Sequence, residues 1–155
     1  MSNADDTLYL EDLEVGRVMM SPGRTVTETD IVMFANMTGD WNAMHTNDEY
    51  CKTSMYGKRV AHGALGFAIH SGLLTRTTEF QRIAGLAGLG FKEWKYTGPI
   101  FVGDTVTLKI TVVNTRVTSK KDRGILTLKR ELLNQDGKVV QEGLSNILVS
   151  TRPEK

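Results

Sequence analysis

An aspartate and a histidine five positions apart, in Thr38-Gly-Asp-Trp-Asn-Ala-Met-His45, are the side chains of this sequence best suited to moving a proton. Neither falls on a regular apolar period, so both read as residues of a polar loop rather than of a core. A carboxylate can hold a water by hydrogen bonds while an imidazole, with an ordinary pKa of about 6.5, accepts or returns the proton. Asp40 and His45 together could therefore split a water. Further on, Val60-Ala-His-Gly-Ala-Leu65 sets Gly63 at the head of a strongly apolar helical pattern. The first N–H groups of a helix have no partner inside it and stand at the positive end of its dipole, so Gly63 offers an oxyanion hole to whatever docks there. Asp40, His45 and Gly63 are the catalytic candidates.

Plainer readings stand beside these. Asp40 is equally suited to cap the turn after Gly39, and His45 to pack in a loop. His62 precedes the oxyanion glycine and fits a turn-shaping role better than a reactive one; it is retained as a substrate contact. Lys58 and Arg59 lie just before the same turn, where they suit phosphate oxygens or an ordinary solvated pair. His70 lies inside the apolar helix and reads as a core or dimer-contact histidine. Cys51 reads as a small packed side chain. The spacing offers Asp40 and His45 no third ligand, so no metal is expected. Gly85, Gly88 and Gly90 depart from the dinucleotide fingerprint and precede a strand, which points to a bulge or a close backbone contact.

The elements that must position these residues follow from periodicity. Thr27-Glu-Thr-Asp30 is a capping signature before Ile31, Phe34 and Ala35, and predicts a helix over 28–37. Asn47-Asp-Glu-Tyr50 caps a second, short helical turn ending near Gly57, with a polar loop between the two. From Gly63, Leu65, Ala68, Ile69, Gly72 and Leu73 recur at helical spacing, and Phe67 and Leu74 widen the apolar surface almost to the full circumference; the expected helix is buried. The period then changes to two. Val106, Leu108, Ile110 and Val112 alternate with Thr105, Thr107, Lys109 and Thr111, a half-buried strand. Strands over 126–133 and 139–150 meet at Asp136-Gly137, an earlier one covers 86–96, and Lys120 to Gly124 forms a turn. The class is α+β, one domain with a curled antiparallel sheet over a central helix.

Composition excludes several alternatives. The chain has 155 residues, 40% hydrophobic and 24% charged, which is neither disordered nor fibrous. Nineteen basic against eighteen acidic side chains leave a net charge of +1, too little to hold a nucleic acid backbone. The single cysteine rules out an intramolecular disulfide and fits a reducing, cytoplasmic setting. No stretch reaches the length of a membrane span, and the acidic start is unlike a secretory signal. Residues 1–7 are expected to be a flexible tail, and 1–155 a single domain.

Thr38-Gly-Asp-Trp-Asn-Ala-Met-His45 followed by Ala61-His-Gly-Ala-Leu65 resembles the signature of the MaoC-like, (R)-specific enoyl-CoA hydratases of the hydratase 2 type, whose pattern is Gly-Asp-x-Asn-Pro-hydrophobic-His. The resemblance implies a hot-dog fold, a sheet wrapped round one long helix. It implies catalytic Asp40 and His45, a supporting Asn42, and a Gly63 N–H that binds the thioester oxygen. The implied reaction is reversible addition of water to a trans-2-enoyl-CoA, giving an (R)-3-hydroxyacyl-CoA; coenzyme A is part of the substrate and no cofactor is required. Lys58 and Arg59 would then meet the phosphates of coenzyme A. Partners implied are an acyl-CoA and a second copy, as a homodimer or larger homo-oligomer, but neither nucleic acid nor membrane. Ala43 stands where the family usually has proline, Asn47 replaces a frequent acid, and Trp41 is bulky for its place. Two other readings share the fold: a non-catalytic acyl-CoA or acyl-carrier binding module, and a thioesterase. A dicarboxylic acyl group would need a cation, for which Arg59, Arg76 and Arg82 are candidates.

Overall fold

The computed structural model describes residues 6–153. In chain order the elements are β1 (Val18–Met20), β2 (Arg24–Thr25), α1 (Glu28–Thr38), α2 (Ala43–Thr46), α3 (Asp48–Lys52), α4 (Gly63–Thr75), α5 (Thr78–Gln81), β3 (Gly85–Tyr96), β4 (Thr105–Val117), β5 (Arg123–Leu133) and β6 (Val139–Ser150). All strand pairs are antiparallel, in the order β1-β4-β5-β6-β3, with β2 beside β4. The class is α+β, as the change of period predicts.

Val106, Leu108, Ile110 and Val112 are fully buried on the inner face of β4, beside Leu126, Leu128 and Leu132 of β5. Against them lie Leu65, Ile69 and Leu73 of α4. The expected strands agree with β3, β5 and β6 to within three residues, and the glycines of β3 coincide with shifts of register against β6. Lys121, in the turn between β4 and β5, has a positive φ of 62°.

Three expectations need correction. The apolar helix is covered on its sheet side only: Ala64, Ala68, Ser71 and Gly72 are exposed, because the single chain has one sheet and the helix has two sides. The polar loop before Asn47 contains α2, a single turn nucleated when Asn42 Oδ1 accepts the N–H of Met44 at 3.0 Å; an Asx cap needs no apolar period, so periodicity passes over it. The next helix, capped by Asn47 as expected, stops at Lys52, and turns carry the chain on to Gly57. Of the tail expected over residues 1–7, residues 1–5 lie outside the described part. Asp6 pairs with Arg82, and Leu8 forms a parallel bridge with Ile83.

Candidate active site

Thr27 and Asp30 close a reciprocal capping box at the start of α1. Its end is set by Gly39, whose left-handed φ of 75° lets its N–H return to the Ala35 carbonyl at 2.8 Å. The chain leaves this turn with Asp40 exposed, its Oδ1 accepting the N–H of Asn42 at 3.3 Å. One turn of α2 then carries His45 back toward the head of α4. Val60 donates its N–H to the Met44 carbonyl at 3.1 Å, and its own carbonyl accepts from His45 Nδ1 at 2.7 Å. That second bond assigns the proton to Nδ1 and leaves Nε2 as the basic nitrogen.

His62 joins from across the chain. It is 2% exposed, its Nε2 donates to the Asp40 backbone carbonyl at 2.9 Å, and its Nδ1 has no hydrogen-bond partner. The His45 and His62 rings stack at 3.8 Å between centroids, and Phe34 packs on His62 at 5.0 Å. One ligating atom from each of Asp40, His45 and His62 lies within 4.8 Å of the others. The third ligand absent from the spacing is therefore present in space, and two imidazoles with a carboxylate suit a divalent cation as well as proton transfer.

Gly63 begins the thirteen-residue α4, and no side chain caps its first N–H groups. A β-carbon at Gly63 would meet the Tyr96 ring at 2.7 Å, so any larger residue there would have to push that exposed ring aside. The Gly63 carbonyl accepts from Gln141 Nε2 at 2.9 Å, and Gln141 Oε1 accepts from the Trp94 indole N–H at 3.1 Å, which ties the helix start to β3 and β6. Neither Gln141 nor Trp94 is marked by sequence motifs. The available signal was a buried polar residue on a strand whose other inward positions are apolar or small.

A cavity of about 240 Å³ has His45, Gly63, Tyr56, Tyr96 and Gln141 in its wall. A larger one of about 510 Å³ lies between α1 and α4, lined by Met33, Phe34, Met37, Leu65 and Ile69. Phe34 lines the larger cavity and packs on His62, so this apolar space adjoins the trio.

The remaining candidates have other partners. Asn42 uses its carbonyl oxygen to cap α2. Lys58 Nζ sits 4.0 Å above the Phe101 ring. Arg59 is not brought to the trio: its guanidinium bonds both Glu28 oxygens at 2.7 and 2.9 Å and Asp48 Oδ1 at 2.7 Å, bracing α1 against α3. Those bonds, first to Glu28 and then to Asp48, hold its charge more firmly than usual. Arg82 is engaged by Asp6, whereas Arg76 lines the larger cavity and forms no ion pair among the described residues.

Residues 13–132 match the family model described as a MaoC like domain. The chain is 33% identical over 153 residues to an (R)-specific enoyl-CoA hydratase of Rhodospirillum rubrum, covering 97% of this chain and 99% of that one. It superposes on the crystal structure of a MaoC-like dehydratase from the same organism with a TM-score of 0.80 at 30% identity, covering 95% and 99% of the two chains. A conserved hypothetical protein of Mycobacterium tuberculosis, described as having a double hotdog fold, superposes with a TM-score of 0.79 at 22% identity, covering 99% of this chain and 47% of that one. The fold is the hot-dog fold.

Proposed function

The chain belongs to the MaoC-like dehydratase family, and from that premise we propose that it is a hydro-lyase adding water reversibly across the double bond of a trans-2-enoyl-CoA. The observation that carries this reading is the convergence of Asp40 and His45 beside the uncapped start of α4. The thioester oxygen sits on the Gly63 N–H, where the helix dipole favours the negative charge that develops as the enolate forms. Asp40 and the unprotonated Nε2 of His45 hold the water. Its oxygen bonds to the β-carbon, one of its protons passes to the Asp40 and His45 pair, and a proton is delivered to the α-carbon. The product is a 3-hydroxyacyl-CoA, read as R because the relative is named (R)-specific. Dehydration is the same path reversed.

The apolar cavity beside Phe34 receives the acyl chain, and Arg76 on its wall would meet the far carboxylate of a dicarboxylic acyl group. No metal takes part in this reading; His62 holds the Asp40 backbone and supports His45 by stacking. The free edge of β3, with Leu86, Leu89 and Phe91 exposed, pairs with the same edge of a second copy to form a homodimer. No helix among the described residues is long and apolar enough to cross a membrane. We place the reaction in the cytoplasm.

The test is loss of conjugated enoyl-thioester absorbance over a panel of straight-chain and dicarboxylic trans-2-enoyl-CoA substrates, with products identified by mass. A hydrated thioester is expected, unaffected by a chelator. Free coenzyme A would identify a thioesterase, an unchanged bound ligand a binding module, and loss of activity with the chelator a metal centre at the trio.

A further inference from the structure

Behind α4, away from the catalytic turn, the sheet carries a buried charge with no acidic partner. Arg130 occupies an inward position of β5 between Leu128 and Leu132 and is 4% exposed. Its Nε has no hydrogen-bond partner, and its Nη1 reaches only His70 Nε2, at 3.4 Å. His70 gives its Nδ1 proton to the Phe67 carbonyl, so Nε2 presents a lone pair. Burial, with the adjacent Arg130, pushes its pKa down to about 4 and leaves the ring neutral. Among the described residues no carboxylate pairs with Arg130: the next residue, Glu131, faces the other way and takes Lys109 and Lys129. A buried guanidinium without an anion is unfavourable, and burial lowers its own pKa to about 10.

Ser145 on β6 repeats the pattern, 2% exposed with an Oγ that bonds to nothing. Both residues line one cavity of about 390 Å³ whose other walls include Leu74, Phe80, Leu86 and Phe91. Few polar groups converging in a mostly apolar cavity of this size are the usual form of a small-ligand site. We propose that this cavity binds a small aliphatic carboxylate, its oxygens on the Arg130 fork and the Ser145 hydroxyl and its tail against Leu74, Phe80 and Leu86. The fork matches a carboxylate in shape as well as charge. No residue of the trio lines the cavity, so the proposal stands independently of the hydratase chemistry, while Leu86 and Phe91 on the β3 edge assigned to the homodimer would also be partner contacts.

Hexanoate is the probe, and the two indole N–H resonances of the full-length protein are the readout. Trp94 packs edge-on against Phe91 and tilted against His70 beside the cavity, at 5.5 and 4.6 Å between ring centroids, while Trp41 lies in the catalytic loop. Millimolar hexanoate is expected to shift Trp94 saturably and leave Trp41 in place. Arg130→Met should weaken this binding at least about tenfold and Ser145→Ala several-fold, while hexanamide should bind little. Replacing a buried charge by an apolar side chain commonly leaves a protein folded, and Arg130→Lys supplies a second variant that keeps the charge without the fork. An unmoved Trp94, an equal response to hexanamide, or equal affinity in Arg130→Met would overturn the site. So would dissociation of a dimer on Arg130→Met with no response to hexanoate, since the anion would then come from the second copy.

Discussion

The first turn of α4 and its middle each hold imidazole, and they hold it in opposite ways. At the first turn His45 is anchored through Nδ1 to a loop carbonyl, partly exposed, with the carboxylate of Asp40 at hand. Two turns further on, His70 is anchored through Nδ1 to its own helix, fully buried, with a guanidinium at hand. Both rings therefore present an unprotonated Nε2. Only the first has an acidic neighbour and access to water, so only the first can pass a proton back and forth. The second is a hydrogen-bond acceptor that helps seat a cation. The neighbouring charge and the solvent, more than the residue type, decide which histidine does chemistry.

The most forceful way to break this comparison is to remove each ring. Asp40→Asn or His45→Gln should lower turnover by at least about a hundredfold, with circular dichroism and melting temperature close to wild type. His70→Asn should change turnover by less than about threefold under the same assay. Equal losses at His45 and His70 would mean that the two environments do not differ in function.

Stability against pH sharpens the same contrast. His70 is held down to about 4 in the folded chain against about 6.5 when unfolded. Across that window the unfolded chain binds a proton that the folded chain refuses, so stability is complete above about pH 6.5 and falls as the pH falls toward 4. The whole difference is worth about 3 kcal/mol. Urea unfolding at about pH 7 and about pH 4 should show a steeper loss in wild type than in His70→Asn. Parallel losses would remove the assigned neutrality of His70.

How much of this was legible beforehand varies with how local the cause is. Thr27, the alternation from Val106 to Val112, and Asp136-Gly137 act within a few residues, and the helix, strand and turn they predict are there. The pairing of β1 and β2 with β4 rests on two or three residues each, too few to show a period. His62 reaches Asp40 only because the sheet and α1 bring both to one end of α4, a long-range outcome. Arg130 was hidden differently. Its inward place is visible in the run Leu126, Leu128, Arg130, Leu132, but Lys129 and Glu131 on either side make the segment look like a charged surface.

Gly63 tests whether the helix start must be bare. In Gly63→Ala the new methyl meets the Tyr96 ring at 2.7 Å; crowding in a closed core costs about 1–3 kcal/mol, and because Tyr96 is 61% exposed and its ring can swing aside, the cost is expected at the lower end of that range. Shrinking the obstacle in Gly63→Ala with Tyr96→Ala should return part of that stability, measured by denaturant midpoint. No recovery in the double variant would mean that the methyl is opposed by something other than Tyr96.

Arg59 gives the smallest effect and the clearest choice between two roles. Its guanidinium is engaged by Glu28 and Asp48, both of them half-exposed or more, so the strut should be worth no more than about 1 kcal/mol. Among the described residues Lys58 carries no such bonds, and it keeps its ammonium over an aromatic ring at the surface. If phosphate recognition falls to Lys58, Lys58→Ala raises KM in a salt-dependent way while Arg59→Ala lowers the melting temperature slightly and leaves KM within about twofold. If Arg59 leaves its acids to grip the substrate, the pattern inverts, and the α1 to α3 brace becomes a contact that opens on binding.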